Sequence, residues 1–241
     1  LPHAPPAVVA PAADVDARVT GVLRFSYAAV CDATGGFAKS RKLGEGGFGE
    51  VYAGELIGAA VAVKKLTQAR ELGEAAGMDA REQLVNELRA LGVYRHPNIV
   101  ALIGVCVPTA DDGADAAPCL VYERLVCDLA SRLHPRRGGD GGDGGADGGA
   151  AAAAAAEPQP LRWLDRLHIV RGVVAGVQYF HTADRDRAMV HLDIKPENVL
   201  IDEHGRAKLG DCGVAMCVEA ARGGHGAAAA GGAGGAGGRL T

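Results

Sequence analysis

The segment Val190-His-Leu-Asp-Ile-Lys-Pro-Glu-Asn-Val-Leu200 decides the fold of this chain. It places Asp193, Lys195 and Asn198 at the spacing D-x-K-x-x-N, and Asp211 follows shortly after it. Taken singly, these residues have ordinary interpretations: Asp193 as a turn residue, Asn198 as a cap, Asp211 as a solvated loop acid. Their joint occurrence at these spacings is not expected by chance and indicates a functional site.

A glycine-rich segment lies near the start, where G-x-G-x-x-G occurs at Gly44, Gly46 and Gly49. Dinucleotide-binding folds use the same letters, but there the motif follows a strand and opens a helix. Here the residues after Gly49 are a poor helix start and a good strand. We therefore expect a hairpin whose backbone N–H groups lie over phosphates, with a merely flexible hairpin tip as the alternative.

The segment Val61-Ala-Val-Lys64 strengthens this interpretation. Side chains alternate along a strand, so Ala62 and Lys64 share one face. We expect Ala62 to lie against an adenine ring and Lys64 to reach the phosphates; a solvated edge lysine is the alternative. Glu87, on a helix predicted over 79–91, is the expected counter-charge, and Glu82 is the second candidate.

Together these segments resemble the protein kinase family over residues 25–213. The opening Phe25-Ser-Tyr and the later Ala33-Thr-Gly-Gly-Phe37 resemble the plant receptor-like and Pelle-type branch of serine/threonine kinases. The resemblance implies an α+β, bilobal fold with a β-rich N-lobe that carries one regulatory helix, and a truncated helical C-lobe.

The resemblance also implies roles for the polar residues. Asp193 accepts the proton of the substrate hydroxyl and orients it, and Lys195 neutralises the γ-phosphoryl group in the serine/threonine pattern. Asn198 and Asp211 hold Mg²⁺ with oxygen ligands that suit a hard cation. His191 is interpreted as a packed structural histidine. The implied cofactors are ATP and Mg²⁺, and the implied partner is a protein with a serine or threonine acceptor.

The family pattern further implies a nucleotide pocket. Tyr122 lies at its back, Glu123 and Leu125 offer backbone hydrogen bonds to the base, and Leu200 forms the floor. The residues expected to contact the nucleotide are Leu43, Gly44, Glu45, Gly46, Gly49, Val51, Ala62, Lys64, Tyr122, Glu123, Leu125 and Leu200.

The chain divides by composition into four parts. We expect a linker at 1–24, the N-lobe and hinge at 25–126, a partial C-lobe at 127–218 and a Gly/Ala tail at 219–241. A Gly/Ala/Asp insertion at 138–156 buries too little side-chain surface to order its backbone.

Apolar runs at 99–107 and 119–125 predict a buried hairpin. Helical spacing over 163–180 predicts an amphipathic helix with apolar residues Leu164, Leu167, Val170, Val174 and Val177.

Charge and cysteine usage restrict the cellular setting. The net charge of −4 and the pI near 6.1 give no electrostatic reason to expect nucleic acid as a partner. The six cysteines include no C-x-x-C pair, which favours reduced thiols and a cytoplasmic protein. The longest strongly apolar run, 99–107, is far shorter than the ~18 residues of a membrane span. The chain is also compatible with the intracellular part of a receptor-like kinase.

Three departures from the family pattern bear on activity. Leu192 stands where many kinases have arginine, and Cys212 replaces the usual phenylalanine after Asp211. The residues after Asp211 lack the later family motifs, so we expect a fragment or an incomplete gene model whose 163–180 helix leaves an apolar face uncovered. A nucleotide-binding pseudokinase scaffold is the alternative function, and a structural interaction domain without nucleotide is the third.

Overall fold

Six strands form the sheet of the first part of the chain in a computed structural model, which describes residues 21–46, 49–66, 80–113, 115–134 and 160–219. The strands run in the order β1-β5-β6-β4-β3-β2, and all neighbours are antiparallel except the parallel pair β1 and β5. Their bounds are β1 Leu23–Arg24, β2 Lys42–Gly46, β3 Gly49–Leu56, β4 Ala59–Lys65, β5 Leu102–Cys106 and β6 Cys119–Glu123. The predicted insertion 138–156, the linker over 1–20 and the tail over 220–241 lie outside the described residues.

The N-terminal segment is part of this unit. Helix α1 (Tyr27–Thr34) is capped by Ser26, whose side chain accepts a hydrogen bond from the Ala29 N–H, and Phe25 and Val30 are buried in a core beneath it. The linker predicted to reach residue 24 therefore ends earlier, because β1 begins at Leu23 and pairs with β5. A two-residue strand is too short to show a period in the sequence.

Helix α2 (Ala80–Leu91) buries Leu84, Leu88 and Leu91, as their helical spacing predicts. The predicted hairpin is present as β5 and β6, although both strands are shorter than the apolar runs. Ile99 and Val100 are buried outside β5, because their backbone pairs with a strand from the second part of the chain around Leu209. An apolar run in the sequence predicts that its residues are buried, but it does not predict which strand they pair with.

The second part of the chain holds short strands around one long helix. Strands β10-β9-β7 form one small sheet, and β8 pairs with β11 in another. The bounds are β7 Cys127–Asp128, α3 Leu129–Leu133, α4 Trp163–Thr182, β8 Arg187–Val190, β9 Val199–Ile201, β10 Ala207–Leu209 and β11 Met216–Glu219, with 3-10 turns at Lys39–Arg41, Ala110–Asp112 and Pro196–Asn198. Strand β11 includes Glu219, which was predicted to open the tail.

Helix α4 packs through a face that its leucines and valines do not mark. Its buried residues are Ile169, Gly172, Gly176 and Phe180, and a Cβ on either glycine would come within 2.8 Å of Asn98. Most of the predicted apolar stripe is exposed, at 62% for Leu164, 45% for Leu167, 59% for Val170 and 57% for Val174. Only Val177 of that stripe packs against the core. The helix is confirmed, and within the described residues its apolar stripe is largely uncovered, as expected.

One apolar cluster joins the two parts. It includes Leu88 of α2, Leu120 of β6, Phe180 of α4 and Leu209 of β10. The α+β fold class is therefore confirmed, with the sheet and α2 on one side of this cluster and α4 with its short strands on the other. Among the described helices, none is long and apolar enough to cross a membrane.

Candidate active site

Lys64 lies between two carboxylates that come from distant parts of the chain. Its Nζ donates to Glu87 Oε1 at 2.5 Å and to Asp211 Oδ1 at 2.8 Å. Strand β4 places Lys64 opposite Leu120 and Val51, and helix α2 presents Glu87 towards the sheet. The Lys64 side chain is 9% exposed and that of Glu87 is fully buried. The expected partner Glu87 is thus the one that the structure brings to Lys64, whereas Glu82 is exposed.

The charged groups of Lys64, Glu87 and Asp211 affect the pKa values of Lys64 and Glu87. Burial alone would lower the pKa of Lys64, but the carboxylates of Glu87 and Asp211 raise it to about 12. Burial raises the pKa of Glu87, and the Lys64 ammonium opposes that shift. Removing one member of such a buried pair leaves an uncompensated charge, which is far costlier than losing a surface pair.

Tyr122 adds a contact that the sequence did not predict. Its hydroxyl donates to Glu87 Oε2, so both carboxylate oxygens of Glu87 have a partner. Tyr122 lies on β6 opposite Ala62 and is buried. Its expected position at the back of a nucleotide pocket stays a prediction. Sequence spacing gives no signal for this bond, because the two residues come from different elements.

Asp193, Lys195 and Asn198 form a second cluster. Lys195 Nζ donates to Asp193 Oδ2 at 2.7 Å, and Asn198 Nδ2 donates to the same oxygen at 2.8 Å and to the Asp193 carbonyl at 2.9 Å. The Lys195 ammonium, together with the Asn198 amide, holds the pKa of Asp193 below its usual range. Asp193 is therefore an ionised hydrogen-bond acceptor throughout the physiological range.

Backbone and histidine contacts connect the two clusters. Gly210, beside Asp211, donates its N–H to the Asn198 carbonyl at 2.9 Å, and its own carbonyl lies 3.0 Å from His191 Nε2. His191 Nδ1 accepts the Asp193 N–H at 3.3 Å. These contacts define an Nε2–H tautomer, and burial lowers the pKa of His191. His191 is 3% exposed and packs as the sequence interpretation expected.

Asp211 and Leu192 both have left-handed backbone. Their φ angles are 55° and 64°, a region that non-glycine residues rarely adopt. Such strain concentrates where the surroundings fix a functional side chain. The Asp211 carboxylate accepts a hydrogen bond from Lys64, whereas the Leu192 side chain is largely exposed.

The donor set of Asn198 and Asp211 fits a hard cation. Hydrogen bonding uses the amide nitrogen of Asn198 and Oδ1 of Asp211, and no bond within the described residues uses Asn198 Oδ1 or Asp211 Oδ2. Oxygen atoms of this kind are the ligands that Mg²⁺ prefers. Among the described residues no group of three or more His, Cys, Asp or Glu could hold a metal, so these two residues need further ligands from a bound phosphate or water.

The residues expected to contact the nucleotide fall into two groups. Ala62, Leu125 and Leu200 are partly buried, and each packs against the core cluster that joins the two parts of the chain. Residues 43–46 of the glycine hairpin are more exposed to solvent than this first group. Leu43 is exposed, and a Cβ built at Gly44 or Gly46 would have no atom within 4 Å.

Gly49 and Val51 tie the hairpin to the strand that carries Lys64. Gly49 has φ 135°, and a Cβ there would lie 2.2 Å from the Lys65 carbonyl, so only glycine fits. Val51 is directly opposite Lys64 in the sheet. Glu45 is the remaining hairpin residue of the predicted set, and its carboxylate accepts a hydrogen bond from Lys42, which is not part of that set.

The hinge segment contains a bridge that the sequence did not predict. Glu123 accepts hydrogen bonds from the Ala101 N–H and from Lys208 Nζ, each at 2.8 Å. The Glu123 N–H donates to the Ala101 carbonyl, so this N–H is not free for a base. Strand alternation between buried Ala207 and Leu209 indicates that Lys208 faces the other way, but it cannot identify Glu123 as the partner.

Comparisons with known proteins agree with this geometry. The chain matches the family described as "Protein kinase domain" over residues 37–225. It is 32% identical over 199 residues to the Pelle-like serine/threonine-protein kinase pik-1 of Caenorhabditis elegans, covering 81% of this chain and 36% of that protein.

Two further relatives lie at similar identity. The serine/threonine-protein kinase pelle of Drosophila melanogaster is 33% identical over 202 residues, covering 83% of this chain and 35% of that protein. The LysM domain receptor-like kinase 10 of Oryza sativa subsp. japonica is 33% identical over 202 residues, covering 84% and 27%. The chain thus spans about a third of the length of these curated relatives. It belongs to the protein kinase family, alongside Pelle-like and plant receptor-like members.

Proposed function

We propose that this chain binds Mg-ATP and contributes the phosphoryl-transfer groups of a cytoplasmic serine/threonine protein kinase. The observation that carries the proposal is Lys64, whose ammonium lies between the carboxylates of Glu87 and Asp211. Three residues from a strand, a helix and a loop converge there, although a lysine with a purely structural role needs only one partner. The names of the similar Pelle-like proteins, and free thiols at all six cysteines, agree with this assignment.

The groups divide the work of the reaction among themselves. Lys64, fixed by Glu87, donates to phosphate oxygens, and the N–H groups of the glycine hairpin lie over the same phosphates. Asp193, kept ionised by Lys195, accepts a hydrogen bond from the acceptor hydroxyl and orients it for attack. Lys195 lies close enough to Asp193 to neutralise charge on the transferred group.

Asn198 and Asp211 are the residues that would hold Mg²⁺. When bound, the cation neutralises charge between the phosphates. The bonds from Asn198 Nδ2 to Asp193 fix the amide, so Asn198 orients the metal site and the hydroxyl-orienting carboxylate together.

A binding experiment tests the proposal. Calorimetry and thermal shift with ATP, with and without Mg²⁺, should give Mg²⁺-dependent binding to the parent chain. Lys64→Met removes the phosphate contact and Asp211→Asn weakens the metal site, so both should lose most of the shift. Lys65→Met is the matched control, because Lys65 lies over the Phe37 ring on the other face of the strand. The assignment of this cleft is wrong if both variants respond to Mg-ATP as strongly as the parent.

A nucleotide-binding scaffold is the second candidate function. The exposed apolar residues of α4 favour it, because uncovered apolar surface of this kind marks an interaction site. The two functions differ in a transfer assay with a generic serine/threonine substrate. Phosphate transfer that Asp193→Ala abolishes supports the kinase, whereas binding of Mg-ATP without transfer fits both a scaffold and the kinase fragment that the sequence predicts.

A further inference from the structure

Lys42 makes two ion pairs at the base of the glycine hairpin. Its Nζ donates to Glu45 Oε2 at 2.6 Å and to Glu50 Oε1 at 2.5 Å. Glu45 and Glu50 are direct cross-strand partners in the β2–β3 pair. Like charges in opposed positions destabilise strand pairing, so a cation between them turns a repulsion into two attractions.

The pair with Glu50 is anchored to the core. Tyr52, which is buried, donates its hydroxyl to Glu50 Oε2 at 2.8 Å, and its ring lies 5.3 Å from that of Phe37 in an edge-on contact. Lys42 and Glu50 are both about a quarter to a third exposed, so water weakens their attraction only in part. A chain of contacts therefore leads from the core to the hairpin: Tyr52 contacts Glu50, Glu50 contacts Lys42, and Lys42 contacts Glu45.

The part of the hairpin next to Glu45 has little other support. Gly44 and Gly46 flank Glu45, and a Cβ at either would meet no atom within 4 Å. The far strand is fixed by Gly49, which lies against the Lys65 carbonyl. Among the described residues, Lys42 therefore adds a side-chain link between β2 and β3 to the backbone pairing that already joins the two strands.

These contacts lie on the side of the hairpin away from Lys64. Glu50 and Tyr52 are two residues apart and share a face, and Val51, opposite Lys64, points to the other face. Lys42 therefore acts on a bound nucleotide through the hairpin backbone and not by contact.

We propose that Lys42 is a positioning residue, which clamps Glu45 and Glu50 so that the hairpin N–H groups stay aligned with the phosphates of ATP. The inference rests on the proposed function, because it assigns the hairpin to the nucleotide. Well-aligned groups contribute to binding only when their geometry is fixed in advance. The clamp adds side-chain support to β2, which backbone pairing alone would otherwise hold against β3.

The test compares the affinities of the full chain for Mg-ATP and for adenosine, which lacks phosphates. Lys42→Met should weaken Mg-ATP binding by about three- to tenfold and leave adenosine affinity unchanged. Lys42→Arg should restore Mg-ATP binding, because guanidinium can also bridge two carboxylates. Lys39→Met is the matched control: Lys39 is exposed, and no carboxylate pairs with it among the described residues.

A double-mutant cycle then separates the clamp from general charge. Glu50→Gln breaks the link between strands, so Lys42→Met/Glu50→Gln should bind Mg-ATP no more weakly than Lys42→Met alone. Three results would each overturn the proposal. In the first, the losses of Mg-ATP affinity caused by Lys42→Met and Glu50→Gln multiply in the double variant. In the others, Lys42→Met weakens adenosine binding as much as Mg-ATP binding, or it binds Mg-ATP as tightly as the parent. Failure of the parent to bind Mg-ATP would instead overturn the proposed function.

Discussion

The Lys64 cluster and the exposed face of helix α4 differ in how the described residues surround them. Around Lys64, both oxygens of Glu87 are bonded, and the pair is almost completely buried. On α4, four residues of the apolar stripe are 45–62% exposed. The contrast shows that contacts within the described residues enclose the polar centre, whereas they leave the apolar stripe of α4 largely exposed.

Removing Glu87 should have the largest effect on stability. Glu87→Ala removes the nearer of the two carboxylates that contact the Lys64 ammonium and takes away the acceptor of the Tyr122 hydroxyl. Breaking a buried pair in this way costs about 3–5 kcal/mol, which corresponds to a fall of about 10 °C in melting temperature for a domain of this size.

Glu203→Ala is the control for this measurement. Glu203 is a highly exposed acid near His204 and should be close to neutral on substitution. Equal melting temperatures for the two variants would mean that the buried pair does not hold the cluster together.

Filling the glycine face of α4 should have the next largest effect. Gly176→Ala would place a Cβ 2.8 Å from the Asn98 carbonyl and 3.0 Å from Leu209. Overpacking of this kind costs about 1–3 kcal/mol, which outweighs the gain in helix propensity of about 1 kcal/mol. Chemical denaturation would measure the loss, and Val174→Ala on the exposed side should change stability by no more than about 0.5 kcal/mol. A more stable Gly176→Ala would show that the helix can move away from the 96–100 loop.

Charging the exposed face of α4 should alter association more than stability. Leu167→Lys with Val170→Lys interrupts the apolar surface without touching the buried side of the helix. Sedimentation of the chain over a range of concentrations should show self-association of the parent, reduced in the variant at nearly unchanged melting temperature. Arg166→Lys with Arg171→Lys, on neighbouring exposed positions, is the control. A monomeric parent would mean that this surface does not associate with itself.

The sequence predicted α2, α4, the strands around Lys64 and the Lys64–Glu87 pair, because each leaves a local signal. Leucine spacing located α2, strand alternation oriented Lys64, and motif spacing singled out Asp193, Lys195 and Asn198 without predicting the hydrogen bonds among them. The sequence did not predict which side of α4 packs, since Gly172 and Gly176 pack by lacking a side chain. It also missed the Tyr122–Glu87 and Lys208–Glu123 contacts, which join residues far apart in the chain and depend on how the two parts meet.

Relieving the backbone at Leu192 should have the smallest effect. Leu192 combines φ 64° with a 58% exposed side chain, so little burial offsets the strain of a left-handed leucine. Asparagine tolerates this region far better, because its side chain can hydrogen-bond locally, and Leu192→Asn should stabilise the chain by about 0.5–1 kcal/mol. Leu192→Ala keeps a Cβ in the same backbone conformation and should gain nothing, which makes it the control. Denaturation midpoints of the three proteins measure the difference.

Mg-ATP affinity should stay constant in both Leu192 variants, because the Leu192 side chain is largely exposed. The neighbouring His191 and Asp193 hold their positions through Gly210 and Asn198. A loss of stability in Leu192→Asn would show that the surroundings have adapted to leucine at this position. A gain of equal size in Leu192→Ala would show that the leucine side chain, and not the backbone angle, is the source of the strain.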